Sequence, residues 1–169
     1  MRRFLAVLPT ILLLWALVAQ LNHELAPAHA TLFVGGLFVT YTALTFPLGT
    51  GLASSFAAGL VLDANAPVAF GTHALLFAAA HALLHDLRDR LPRDDTVGRV
   101  VIALLANFGL FLALSFLEVP LSPMASGAWP RLFADLLWSQ VALSLAGPWF
   151  FSLQHRTLIL AGAEPETLD

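Results

Sequence analysis

Apolar residues are gathered into six runs, at about 4–21, 30–47, 50–63, 70–87, 100–117 and 132–153. Short polar or Pro/Gly-containing breaks separate them, such as Asn22-His23-Glu24 and the Pro- and Gly-rich stretch Val119–Pro130. A helix that crosses a bilayer needs about 20 residues, within a range of about 17–25. Five runs satisfy that length. The third would rise only about 21 Å at 1.5 Å per residue, against about 30 Å of hydrocarbon. The pattern predicts an all-α integral membrane protein, a single six-helix domain over 1–169 with a short third helix. A short cytoplasmic tail would occupy 154–169.

Composition removes the competing classes. Apolar residues make up 59% of the chain and charged residues 11%, where soluble domains carry about 45–50% and about 25%. Disorder is excluded by the same excess, sharpened by 13 Phe and 4 Trp. With no Cys there is no thiol nucleophile, disulfide framework or Cys-based metal site. All 8 basic residues are Arg, so Schiff-base and P-loop lysine chemistry are excluded. A net charge of −3 gives no reason to expect nucleic-acid binding.

Arginine placement gives an orientation. With six spans and a cytoplasmic amino terminus, Arg2, Arg3, Arg88, Arg90, Arg93, Arg99 and Arg156 lie inside and only Arg131 outside. Five spans would carry Arg88–Arg99 outside and break the bias. Both termini are therefore expected in the cytoplasm. The first run lacks a small-residue cleavage site before Asn22 and reads as an uncleaved helix.

The candidate chemistry is sparse. Gly51, Ser55 and Gly59 repeat every four residues on the third helix, and Ala74, Ala78 and Ala82 on the fourth. Small residues at that spacing let two backbones approach closely, which predicts a tight hairpin of helices three and four. Asp63 ends the short helix, and the free amides of the next helix near Gly71-Thr72-His73 would receive its charge. The bland reading is an inter-helix cap, also paired with His73; the functional reading is a proton or cation site. For a cap, Asp63→Asn should largely preserve the fold and Asp63→Leu should not.

The remaining polar residues have structural readings at least as strong as chemical ones. His81 and His85 are one turn apart, a spacing that can hold a metal, but the Glu of the zinc-protease motif is missing. His81 is expected to hydrogen-bond a neighbouring helix and His85 to sit at the cytoplasmic interface. Arg131 and Asp135 form an i,i+4 ion pair, which Glu118 could join. Asn107 and Gln140 are read as interhelical hydrogen-bonding residues. Ser54 and Ser55 read as packing residues, since no nucleophile elbow is present and no histidine has a sequence-level claim on them. Pro9 and Pro148 are expected to kink helices one and six. Trp129 and Trp149 suit opposite interfaces, and Gly35-Gly36 offers a close-approach point.

The stretch Gly59-Leu-Val-Leu-Asp63, seven residues, then Gly71-Thr-His-Ala-Leu75 resembles the rod shape-determining protein MreD family. Its members carry G-x-x-x-D-x₇-G between two central helices. Length, six spans, the charged turn after the hairpin and the Gly147-Pro148-Trp149-Phe150 helix agree with it. The linker here is Ala64-Asn-Ala-Pro-Val-Ala-Phe70, where the family usually carries Ser and Gly. The resemblance implies a non-enzymatic component of the bacterial inner membrane, without cofactor, surrounded by membrane lipids. It would bind MreC, a bitopic protein with a periplasmic coiled coil, and work with MreB and the RodA–PBP2 synthase in sidewall peptidoglycan synthesis. It further implies a bundle similar to the S-components of vitamin transporters, whose small-solute binding is the alternative function. Against that alternative, Ala6, Ala16 and Ala19 do not form the docking stripe of S-components. A membrane hydrolase would need paired aspartates, and Asp63 and Asp135 lack such surroundings. Which helix face meets a partner stays open.

Overall fold

In the computed structural model, residues 2–64, 66, 69–92, 95–118 and 125–160 are described, the side chains of 2–8, 10–12, 118 and 125–128 excepted. Six α-helices appear: α1 (Arg2–Leu25), α2 (Gly35–Thr45), α3 (Leu48–Asp63), α4 (Thr72–Leu87), α5 (Thr96–Glu118) and α6 (Ala125–Leu160). Single 3-10 turns follow α1 and α4, at Ala26–Ala28 and Arg88–Arg90. The described residues contain no strand, and the architecture is all-helical.

α2 is apolar on every side, as a helix must be when other helices surround it. Residues Gly35 to Ala43 are all buried. It packs on α3, α4 and α5, while α5 carries α6 and α6 carries α1. The core follows α2: Leu37, Phe38, Tyr41 and Phe46 meet Phe77 of α4 and Leu143, Phe150 and Phe151 of α6. The Tyr41 ring lies edge-on to Phe46 and to Phe150, with centroids 5.9 Å apart in each case. Edge-to-face rings of this kind add specificity to a core that apolar burial alone would leave degenerate.

Helix lengths depart from the even spacing of the apolar runs. The second run was expected to be helical from 30, yet α2 begins at Gly35 and has 11 residues. Residues Ala30 to Val34 are non-helical, because side chains of three other helices take their backbone groups. The first helix extends through Asn22-His23-Glu24, where the polar residues suggested a loop. Gln20 and Glu24 bond across one turn there, with Nε2 3.2 Å from Oε1.

α4 starts at Thr72, after Gly71 takes φ +98°, a value that glycine alone adopts without strain. α5 starts four residues earlier than its apolar run because Asp95 caps it: Oδ1 accepts from the Gly98 amide at 3.0 Å. α6 is 36 residues long, with Pro130 and Pro148 inside it. Helix therefore covers the last part of the expected outer segment, 125–130, and the first part of the expected tail, 154–160. The tail acids Glu164, Glu166 and Asp169 and the side chain of Glu118 lie outside the described residues.

Among the described residues, Thr96–Leu117 and Trp129–Leu160 are long and apolar enough to cross a membrane. α3 and α4 have 16 residues each, so the fourth run joins the third in falling short of the expected length.

Candidate functional site

α3 and α4 pack closely against each other, and glycine makes it so. A methyl group on Gly59 would fall 2.3 Å from the Ala74 Cα, and one on Gly51 would fall 2.3 Å from the His81 ring. The small residues of α3 therefore face Ala74 and His81. Ala78 and Ala82, expected to continue the stripe, are only half-buried. A spacing of four advances about 40° beyond a full turn at each step, so the alanines rotate off the contact line and His81 takes their place.

Asp63 closes this hairpin. Its Oδ1 accepts from the His73 amide and from His73 Nδ1, both at 2.9 Å. Its Oδ2 accepts from the Gly71 amide at 3.0 Å and the Ala74 amide at 3.1 Å. Because a carboxylate only accepts, His73 carries its proton on Nδ1. Asp63 thus stands at the amino end of α4, where backbone amides and the helix dipole both favour an anion. The arrangement occupies both carboxylate oxygens, and among the described residues it is a cap.

A second polar group lies deeper, between α2, α3 and α4. Thr42 Oγ1 donates back to its own helix, 3.0 Å from the Val39 carbonyl. It lies 2.9 Å from Ser55 Oγ and 3.2 Å from His81 Nδ1, and Ser55 Oγ lies 3.2 Å from the same Nδ1. Ser55 and His81 are fully buried, and Nε2 of His81 has no hydrogen-bond partner. An unpaired buried donor costs about 1–3 kcal/mol, so the network assigns the proton to Nδ1 and leaves Nε2 a bare acceptor.

This corrects the reading of Ser55 as packing alone: a histidine does pair with it. The proton on Nδ1 points from His81 toward the hydroxyls, which is the wrong direction for a base that would activate Ser55. Ser54 bonds only to the Thr50 carbonyl, at 2.7 Å. His85 stacks on His81 with centroids 5.9 Å apart. Among the described residues, no three His, Asp or Glu side chains are grouped to hold a metal ion.

The third group was not visible in the sequence. The non-helical strap Ala30–Val34 is held almost entirely by side chains. Asn22 of α1 pairs with Leu32 at both ends, accepting from its amide at 2.7 Å and donating to its carbonyl at 3.0 Å. Asn107 of α5 does the same across the start of α2, accepting from the Gly36 amide at 3.1 Å and donating to the Phe33 carbonyl at 3.0 Å. Ser139 Oγ of α6 accepts from the Phe33 amide at 2.9 Å. Asp135 accepts from the Thr31 amide and hydroxyl, both at 2.9 Å. Backbone groups withdrawn from water outside regular structure need partners, and here four side chains supply them.

Asp135 was expected to serve Arg131. Their closest approach is 4.0 Å, with the Arg131 side chain 56% exposed, so that pair is marginal and the bonds to Thr31 are the substantial ones. Asn107 makes an inter-element bond, though to backbone rather than to a helix side chain. Gln140 donates to the Leu104 carbonyl of α5 at 3.1 Å. Gly36 comes so close to α5 that a methyl group there would lie 2.2 Å from the Asn107 nitrogen. Asp135 and Ser139 share one face of α6, but nothing local names their partners more than 100 residues away.

No curated protein and no solved structure matches the chain. The family model described as rod shape-determining protein MreD matches residues 1–156, which include all three polar groups. On that match the chain belongs to the MreD family, a membrane protein with a part in determining rod shape.

Proposed function

We propose that the chain is a six-crossing, non-enzymatic scaffold of the cell-elongation machinery that binds MreC in the inner membrane, with both termini in the cytoplasm. Through MreC it acts with MreB and the RodA–PBP2 synthase on sidewall peptidoglycan synthesis. The observation that carries the reading is the family match over nearly the whole chain. The geometry supports it: in all three groups the buried polar side chains bond to backbone or to one another.

Helix dimensions support several crossings. At 1.5 Å per residue, α1, α5 and α6 reach about 36, 35 and 54 Å. The second crossing combines α2, about 16 Å long, with the strap, whose five residues add at most about 17 Å. Trp129 and Trp149 are both exposed and stand about 30 Å apart along α6, the spacing of two interfaces. Seven Arg on one side against Arg131 on the other support the orientation.

A mild-detergent pull-down of the tagged protein from native membranes, with mass spectrometry of what co-purifies, tests the function. MreC together with elongation components is the expected result. ATPase subunits or a tightly held vitamin-sized molecule would overturn it in favour of an S-component-like solute binder.

A further inference from the structure

The hairpin of α3 and α4 forms one side of the bundle, and its outer face is apolar. Phe56 and Val61 of α3 and Leu75 and Leu83 of α4 are exposed, the last two at 68% and 62%. Both helices have 16 residues and so reach about 24 Å, about 6 Å less than the hydrocarbon of an ordinary bilayer.

Neither end of the hairpin can be drawn into hydrocarbon to hide the difference. At one end, exposed Asp86 is followed by Arg88, Asp89 and Arg90. On that same side α3 starts at Leu48, after Pro47, with no side-chain cap, so its first amides need water. At the other end the chain turns between Asp63 and Thr72, and Ala64, Ala69 and Phe70 are exposed. Irregular backbone exposed to lipid does not occur inside the hydrocarbon layer. Tilting the hairpin would only shorten its span further. α5, in contrast, is helical for 23 residues, about 35 Å, so it continues past the hydrocarbon with its backbone satisfied and demands no thinning.

From this mismatch we infer that the α3–α4 face is a lipid-binding surface that thins the adjoining bilayer and selects phospholipids with short acyl chains, while the α5 face takes chains of ordinary length. The bilayer therefore changes thickness around one small protein, and the thin side marks one direction in the plane of the membrane. The inference rests on the multi-crossing reading above, since both faces must meet lipid.

The absence of cysteine allows a direct test on the full-length protein. A single bimane label is introduced at Leu75→Cys or Leu83→Cys on the hairpin, or at Leu105→Cys on α5, all three positions being well exposed. The labelled proteins are reconstituted in vesicles mixing di-18:1 phosphatidylcholine with brominated lipids of 14 to 22 carbons, and quenching gives the relative lipid affinity at each position. The expected result is at least a twofold preference for 14- to 16-carbon lipids over 18-carbon lipids at Leu75 and Leu83, and none at Leu105. Equal chain-length dependence at all three positions would overturn the thinning and leave the crossings intact. No quenching at Leu75 and Leu83 while Leu105 is quenched would show that protein covers the hairpin, and would also overturn it. No quenching at any of the three would sink the multi-crossing reading as well.

Discussion

Replacing Asp63 separates a cap from a decorative charge. Four donors converge on its carboxylate, two on each oxygen: His73 N and Nδ1 on Oδ1, Gly71 N and Ala74 N on Oδ2. In Asp63→Leu the amides of His73 and Ala74 are left buried without acceptors, at about 1–3 kcal/mol each. Loss of the charge facing the α4 dipole adds about 0.3–1 kcal/mol. The sum is about 2–7 kcal/mol, enough to unfold a marginal domain.

Asp63→Asn is expected from sequence largely to preserve the fold, and the geometry adds a measurable loss of stability to that expectation. An amide keeps one oxygen and turns an NH₂ group toward the other two donors, whichever way it flips. The expected loss is about 2–3 kcal/mol, between wild type and Leu. Unfolding in mixed dodecyl maltoside and SDS micelles, followed by tryptophan fluorescence, resolves such differences. A Leu variant within about 0.5 kcal/mol of wild type would refute the cap. An Asn variant equal to wild type would refute the bonding of both oxygens.

Three further predictions use the same unfolding measurement. Gly59→Ala and Gly36→Ala should each lose about 2 kcal/mol or more, because the new methyl meets backbone at 2.3 and 2.2 Å. Gly109→Ala meets nothing within 4 Å and should gain up to about 1 kcal/mol; the reverse order would invalidate the packing. Asn107→Leu should lose about 2–4 kcal/mol and speed hydrogen exchange at Gly36, since it strands two backbone groups; unchanged exchange there would reject the strap's anchoring. Asp135→Ala should cost about 2–4 kcal/mol through Thr31, while Arg131→Ala should cost less than about 0.5 kcal/mol; equal costs would restore the ion pair as the principal contact.

Legibility in the sequence followed the range of each interaction. Helical class and the α3–α4 hairpin were readable, because burial periodicity, Gly51, Ser55 and Gly59 are local signals. The Asp63 cap was readable for the same reason, since its donors begin eight residues away. The strap was not. Asn107 bonds residues more than 70 positions distant and Asp135 bonds one 104 positions distant, and no local pattern announces such pairs. Apolar runs also cannot separate helix from a side-chain-supported extended stretch, so Ala30–Val34 read as a continuation of α2. Ser55 was misjudged because its partner His81 reaches it only after α3 and α4 have folded against each other. The start of α5 was missed because Asp95 looked like one more loop acid, although an Asp ahead of an apolar run is also the signature of an N-cap.

The strap explains why a chain with so little polar content places so much of it in the interior. A straight helix over the second apolar run would need no side-chain help, yet Asn22, Asn107, Asp135 and Ser139 together hold a segment that is not helical. Each of the four comes from α1, α5 or α6, and each binds main chain, Asp135 taking the Thr31 hydroxyl as well. The strap therefore ties three helices to the start of α2, while the Thr42–Ser55–His81 group ties α2 to α3 and α4. The other five helices are thus linked to α2 or to the strap that leads into it by directional bonds as well as by packing. Apolar contacts among Leu, Phe and Val tolerate sliding, since many registers bury similar area; buried hydrogen bonds of fixed geometry do not. Under the scaffold reading proposed above, an interior of that kind would hold the exterior fixed. It follows that variants in the strap should weaken assembly in proportion to the stability they remove, whereas variants on an outward partner face should weaken assembly with stability unchanged.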